Sequence, residues 1–190
     1  RLVTWIEQRL IVKELNKYNW EATNRILDIP CGTGILGNVL GRYPFKVVAS
    51  DISEEMMALA NVEYRADQLE ELICSDITKT VFQDRSFDCV ITLGFLHRVP
   101  WDIKVATIKE ISRLTNRVAI ISFSKDNFIQ RLKNNILSYL MKNHIPAPCT
   151  VNIDDIKSEC ELHNFNVVSS QSILPLFSAH SLLVLEKSPK

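Results

Sequence analysis

Residues 25–41 carry the feature that most restricts the fold of this chain. An apolar strand pattern, Arg25-Ile26-Leu27-Asp28-Ile29, runs into a glycine-bearing turn and then a helix pattern from Ile35 to Gly41. Glycine is needed where a backbone turns sharply or must approach a ligand closely. In an open α/β sheet, ligands bind beyond the carboxyl ends of the strands, near the point where strand order reverses. Strand, glycine turn and helix in that order therefore announce both a sheet type and a ligand end.

The chain beyond this unit keeps the same rhythm. Lys46-Val47-Val48-Ala49-Ser50 is a second strand, followed by a helix that Ser53 caps, with Glu54 and Glu55 in its positive first turn. Leu72-Ile73-Cys74 is a short third strand and Phe87 to Thr92 a fourth, and Asp102 is expected to cap a helix through Leu114. Arg117 to Phe123 is a fifth strand. Strands apolar on both faces and separated by helices predict a parallel sheet covered on both sides, a doubly wound α/β sandwich. After Phe123 a longer helix is expected from Asp126, with Ile129, Leu132, Ile136 and Leu140 on one stripe, ending before Pro146 and Pro148. A further helix spans about Asn152 to His163, and strands Phe165 to Ile173 and Leu182 to Glu186 close the chain as an antiparallel pair. The first 19 residues form an amphipathic helix that either acts as a lid or covers a sheet edge. All 190 residues are read as one domain, with 125–150 as a helical insertion.

Composition excludes several functions. Lys and Arg number 22 and Asp and Glu number 22, so the formal charge is zero, without the basic excess of a general nucleic-acid or anionic-membrane binder. No apolar run approaches the roughly 20 residues that span a bilayer, and none reads as a secretion signal. The chain begins at Arg1 rather than Met, as a piece of a longer protein would. The five cysteines form no C-x-x-C pair and three lie in strand-like apolar segments, which predicts buried reduced thiols in the cytoplasm. His144, Cys149, Cys160 and His163 are zinc-type ligands, but their spacing matches no zinc pattern well and Cys160 falls on an apolar helix stripe. No metal site is expected.

The glycine segment satisfies G-x-G-x-x-G through Gly32, Gly34 and Gly37, and Asp51 follows Gly32 by 19 residues, about the offset of an acid that binds a ribose. Three features argue against a nicotinamide cofactor. Asp28, four residues before Gly32, would repel a pyrophosphate but suits a ligand cation. A second acid, Asp76, follows the third strand, where it suits an adenine edge with Ile77 packed on the ring. The Tyr-x-x-x-Lys pair of short-chain dehydrogenases is absent.

The run Leu27-Asp28-Ile29-Pro30-Cys31-Gly32-Thr33-Gly34 resembles the first motif of class I S-adenosylmethionine-dependent methyltransferases. Val48 to Met57 is similar to the second motif, Cys74-Ser75-Asp76-Ile77 to the third, Ser86 to Pro100 to the fourth, and Ile111 to Leu114 with the following strand to the fifth. The resemblance covers residues 24–124 and implies a seven-stranded, mostly parallel sheet with helices on both faces and an antiparallel last strand. It implies that the Asp28 turn, with Pro30, Cys31, Gly32, Thr33 and Gly34, holds the methionine part of the donor. Asp51 would take the ribose hydroxyls, with Ile52 on the adenine and Asp76 and Ile77 on its other side. Leu93 and Gly94 would line the sulfonium end.

The methyl of a sulfonium is already an electrophile, so the protein must desolvate and align the reactants rather than form a covalent intermediate. His97, beyond the fourth strand, is the candidate general base for a hydroxyl acceptor. The acceptor side is expected from Phe95 to Arg98, residues 123–148, and the N-terminal helix around Trp5 and Tyr18, with Arg98, Lys125 and Arg131 as possible partners of an anionic acceptor. Met56, Met57, Phe123 and Phe128 are core or pocket wall. The Asn-Pro-Pro-Tyr type of motif is absent, Leu93-Gly94-Phe95-Leu96 standing instead, which with neutral charge leans toward a small-molecule acceptor at oxygen or nitrogen. A non-catalytic methyltransferase-like binding module and a nicotinamide-dependent oxidoreductase are the alternatives.

Overall fold

The computed structural model describes residues 2–125, 149–173 and 180–188. Helix α1 (Leu2–Leu15) leads to β1 (Arg25–Asp28), α2 (Gly37–Leu40), β2 (Lys46–Asp51), α3 (Glu54–Ala60), β3 (Leu69–Cys74) and β4 (Phe87–Thr92). Then come α4 (Trp101–Leu114), β5 (Thr115–Ser124), α5 (Ile153–Leu162), β6 (Phe165–Ser172) and β7 (His180–Lys187). The seven strands form one sheet in the order β3-β2-β1-β4-β5-β7-β6. Strands β1 to β5 are mutually parallel, and β7 runs antiparallel to both β5 and β6. The order reverses between β1 and β4, so the ligand end lies at the carboxyl ends of β1, β2 and β4.

Both faces of the sheet are buried, as the continuous apolar strands require. On one face Ile26, Val47, Ala49, Cys89, Ile91, Val118, Ile120 and Val184 pack against α1, α2 and α3. On the other, Leu27, Val48, Val90, Ala119, Ile121 and Leu183 pack against α4 and α5. Helix α1 joins the first face through Ile11 and Leu15, both fully buried. Each such side chain contributes roughly 1.5–3 kcal/mol. The helix thus covers a sheet face rather than an edge.

Local signals account for most boundaries. Ser53 caps α3 by accepting from the Met56 amide at 3.2 Å, and Asn152 caps α5 by accepting from the Asp154 amide at 3.1 Å. Three expectations need correction. Helix α2 is only four residues long, because Cys31 to Gly37 form tight turns, Gly34 N–H to Cys31 O and Gly37 N–H to Gly34 O. Helix α4 starts after Pro100, whose fixed φ suits a helix entry, and Asp102 lies in the first turn without capping it. Strand β3 begins at Leu69 rather than Leu72, since it is an edge strand with exposed positions that break the apolar signal. The helix expected from Asp126, and the 125–150 insertion with it apart from Lys125, Cys149 and Thr150, lie outside the described residues. No helix among the described residues is long and apolar enough to cross a membrane.

Candidate donor cleft

The carboxyl ends of β1, β2 and β4 border a cleft of about 490 Å³, a normal size for a small-molecule site. Asp28, Pro30, Cys31, Gly32 and Thr33 form one wall, Asp51 and Ile52 the second, and Leu93 and Gly94 the third. Asp76 and Ile77 lie in an adjoining cavity of about 200 Å³, which shares Pro30, Ile52 and Phe95 with the first. The three acids and the apolar walls predicted from the sequence thus lie at one end of the sheet.

Main-chain bonds set this geometry. The Cys31 amide donates to Ser50 O at 2.8 Å and the Ile29 amide to Ile91 O at 3.0 Å, which clamps the turn between β2 and β4. Asp51 is 7% exposed. Its Oδ2 accepts from the Gly32 amide at 2.8 Å and its Oδ1 from the Ser53 amide at 3.0 Å. Each carboxylate oxygen keeps a further acceptor site, so Asp51 both braces the turn and retains capacity for a ligand hydroxyl.

Asp28 is 2% exposed, and its Oδ2 accepts from the Tyr64 hydroxyl at 2.6 Å. Burial raises its pKa to about 7; the Tyr64 hydrogen bond works in the opposite direction and the Asp51 charge adds to the rise. Burial and the Asp28 charge in turn raise the Tyr64 pKa, keeping its hydroxyl protonated as the donor. Burial pushes the Cys31 thiol up to about 12, so it is an inert wall rather than a nucleophile.

The glycines divide their work. Gly32 has φ +54°, and a Cβ there would meet nothing within 4 Å, so this backbone is open beside the cleft. Gly34, at φ +74°, is not on the cleft lining; a Cβ would lie 2.9 Å from Ala60 Cα and Glu63 Cβ. That close packing requires a glycine there. Gly37 admits the backbone of Glu63, whose carbonyl oxygen would lie 2.2 Å from a Cβ. That close approach seats the neighbouring Tyr64.

Other expectations shift. His97 does not line the cleft. Its ring packs edge-on against His180 with centroids 4.9 Å apart, and its Nδ1 has no hydrogen-bond partner among the described residues. Burial, with the positive charge potential of His180, Arg98 and Lys104, lowers its pKa to about 4. Tyr18 donates to Glu186 at 2.8 Å, and Glu186 pairs with Val118 near the start of β5. It therefore sits at the opposite end of the sheet from the cleft. Trp5 lines a different groove with Arg9. Phe95 and Arg98 do border the cleft, whereas Lys125 donates to Ser172 Oγ at 3.1 Å. Arg131 and Phe128 lie outside the described residues. Met56 lines the cleft and Met57 is core. Of the zinc-type residues, His144 lies outside the described residues, and His163 Nε2 meets Glu159 at 2.9 Å.

Residues 26–117 match the family described as "Methyltransferase domain". This segment is a methyltransferase domain. A protein of Geobacillus sp. (strain WCH70) named as a methyltransferase is 37% identical to this domain over 84 residues, 44% of this chain and 34% of the relative. The demethylmenaquinone methyltransferase of Clavibacter sepedonicus is 32% identical over 104 residues, 54% of this chain and 42% of the relative. The ribosomal protein L11 methyltransferase of Thermotoga maritima is 28% identical over 130 residues, 65% and 46% respectively. The chain thus spans less than half the length of these relatives. Its fold superposes on the magnesium protoporphyrin IX methyltransferase of Synechocystis PCC 6803, solved with bound S-adenosylhomocysteine. The TM-score is 0.81 at 21% identity, covering 98% of this chain and 84% of the other.

Two contributors to the methyltransferase cleft carried no local signal in the sequence. Tyr64 reaches Asp28 across 36 residues, and Ser122 Oγ accepts from the Gly94 amide at 2.8 Å across 28.

Proposed function

We propose that this domain transfers a methyl group from S-adenosylmethionine to an oxygen or nitrogen of a small-molecule acceptor by in-line displacement. One observation carries the reading: the buried Asp28 and the braced Asp51 face a single cleft across an open glycine turn. That donor set fits a ligand with a cationic amino-acid end and a ribose. The bound donor supplies a methyl on a sulfonium; the C–S bond breaks with its electron pair going to sulfur while an acceptor lone pair bonds the carbon. Asp28, ionised, offsets the ammonium of the methionine part. Asp51 accepts from the ribose hydroxyls, and Ile52 and Ile77 wall the adenine, with Asp76 at its edge. Leu93 and Gly94 border the reacting end, and Phe95 and Arg98 face the acceptor.

Among the described residues, no base belongs to this reading. His97 lies off the lining with its pKa lowered to about 4, so an acceptor taken up as a neutral amine, or one that releases its proton to water, suits the cleft. A small acceptor is supported by the zero net charge and by the small-molecule names of the Clavibacter and Synechocystis proteins. The second reading, a protein acceptor, is favoured by the name of the Thermotoga relative. The five cysteines, all free, support action in the reducing cytoplasm.

The test is thermal unfolding with S-adenosylhomocysteine or NADH in excess, then transfer of labelled methyl to fractionated extract. At about 100 times its Kd a ligand stabilises by about 2.7 kcal/mol. A shift with S-adenosylhomocysteine alone and label in the small-molecule fraction is expected. A shift with NADH alone would restore the oxidoreductase. Label confined to protein would overturn the small-molecule acceptor. A shift with no label anywhere would make the domain a binding module.

A further inference from the structure

A second concavity of about 440 Å³ lies between α1 and the residues at the end of α2, lined by Trp5, Arg9, Lys13 and Arg42 with Gln8 and Asn16. We propose that it binds the phosphoryl group of a small organic phosphate. Trp5, Arg9 and Lys13 recur at four-residue steps and so share one face of α1. The Arg9 guanidinium carbon lies 4.0 Å from the Trp5 ring centroid. Stacking of this kind fixes the plane of the guanidinium and leaves its N–H edges to an anion.

Among the described residues, none of Arg9, Lys13 and Arg42 is ion-paired, whereas Arg25 meets Glu70, Arg65 meets Asp67, and Arg113 meets Asp84 and Glu110. At about 3.6 residues per turn, Glu7 and Glu14 fall on the far side of α1, and Glu14 is buried and paired with Lys17. Like charges at i and i+4, here Arg9 and Lys13, destabilise a helix. The Trp5 stack holds Arg9 in place, and an anion would supply the charge partner that the cluster lacks among the described residues.

Three cations, two of them with forked donors, match a multiply charged tetrahedral group better than a single carboxylate. The groove is open to solvent, with Arg9, Lys13 and Arg42 exposed, and its volume is that of a small-molecule site. A polynucleotide would call for an extended basic surface, and the chain balances its 22 basic residues with 22 acids.

Calorimetry with phenyl phosphate tests the assignment, with S-adenosylhomocysteine present to occupy the donor cleft and phenol as the uncharged control. Phenyl phosphate is expected to bind and phenol not. Arg9→Gln with Arg42→Gln is expected to weaken binding by at least about tenfold, with the thermal unfolding midpoint and S-adenosylhomocysteine affinity of the parent retained. Should that pair unfold the chain, Lys13→Gln alone at an exposed helix position is expected to weaken binding about threefold or more. Equal affinity in parent and folded variant would overturn the proposal. So would failure of both phenyl phosphate and pyrophosphate to bind, including the case where a single-stranded oligonucleotide binds instead.

Discussion

The Tyr64 hydroxyl donates a 2.6 Å hydrogen bond to the carboxylate of Asp28; both groups are buried, and Asp28 lines the cleft. This is the only side-chain hydrogen bond to the Asp28 carboxylate among the described residues, and it opposes the burial that lifts the Asp28 pKa to about 7. If the ionised form receives the donor, affinity for S-adenosylhomocysteine should fall as pH drops below about 7, by up to tenfold per unit. Tyr64→Phe removes the bond that favours ionisation, so the midpoint should move to higher pH. Calorimetry across this range checks both. A flat profile in the parent would remove Asp28 from the donor site.

The same carboxyl links folding to pH. Its folded pKa, about 7, exceeds the ordinary carboxylate value of 3.8. The folded state therefore holds the proton more tightly, and the stability this confers is complete below about pH 4 and lost as pH rises through 7. Asp28→Asn should remove that loss, so the ligand-free variant should unfold at a higher temperature than the parent at pH 8, while its donor affinity falls more than about tenfold. Melting curves of both proteins at pH 5 and 8 provide the comparison.

Asp51→Ala leaves the Gly32 and Ser53 amides without their carboxylate partner. Beyond a loss of donor affinity above about tenfold, the variant should lose roughly 1–3 kcal/mol of stability. Denaturant titration separates this from the binding effect measured in excess ligand. Unaltered donor affinity would sink the ribose assignment.

Gly32 and Gly34 share a positive φ but differ in what surrounds them. Gly34→Ala combines a left-handed backbone with contacts of 2.9 Å to Ala60 and Glu63, so stability should fall by about 2–4 kcal/mol. Gly32→Ala meets open space; it should cost about 1–2 kcal/mol of stability and weaken donor binding, because the added methyl sits on the cleft wall. Paired melting and binding measurements distinguish the two roles.

What the sequence displays is what short-range physics controls. Continuous apolar runs identify β1, β2, β4 and β5 because both sheet faces are buried, and Ser53 announces α3 because a cap acts within three residues. The cleft wall from Asp28 to Thr33 is legible because the backbone turn and the ligand approach demand the same residues. The Tyr64–Asp28 bond is illegible because nothing local to Tyr64 distinguishes it from a surface turn tyrosine; Gly37 admits its backbone from a separate segment. The acceptor-side place expected of Tyr18 and Trp5 comes from the resemblance together with an amphipathic N-terminal helix pattern. The pattern gives the buried face of such a helix but not which end of the sheet each residue reaches, and Tyr18 reaches the far one.

His97 tests how far position alone predicts catalysis. It lies just past β4, where a base is expected, yet it packs on His180 and its pKa is lowered to about 4. Its folded pKa is below the ordinary 6.5, so the stability it contributes is complete above about pH 6.5 and lost as pH falls toward 4. Nuclear magnetic resonance should show the ring neutral at pH 7 with a midpoint near 4. A base that weak holds almost no proton at neutral pH, so His97→Gln should leave the pH dependence of turnover unchanged while lowering the melting temperature. A midpoint near 6.5 together with loss of one limb of the pH–rate profile in His97→Gln would return the base role to it.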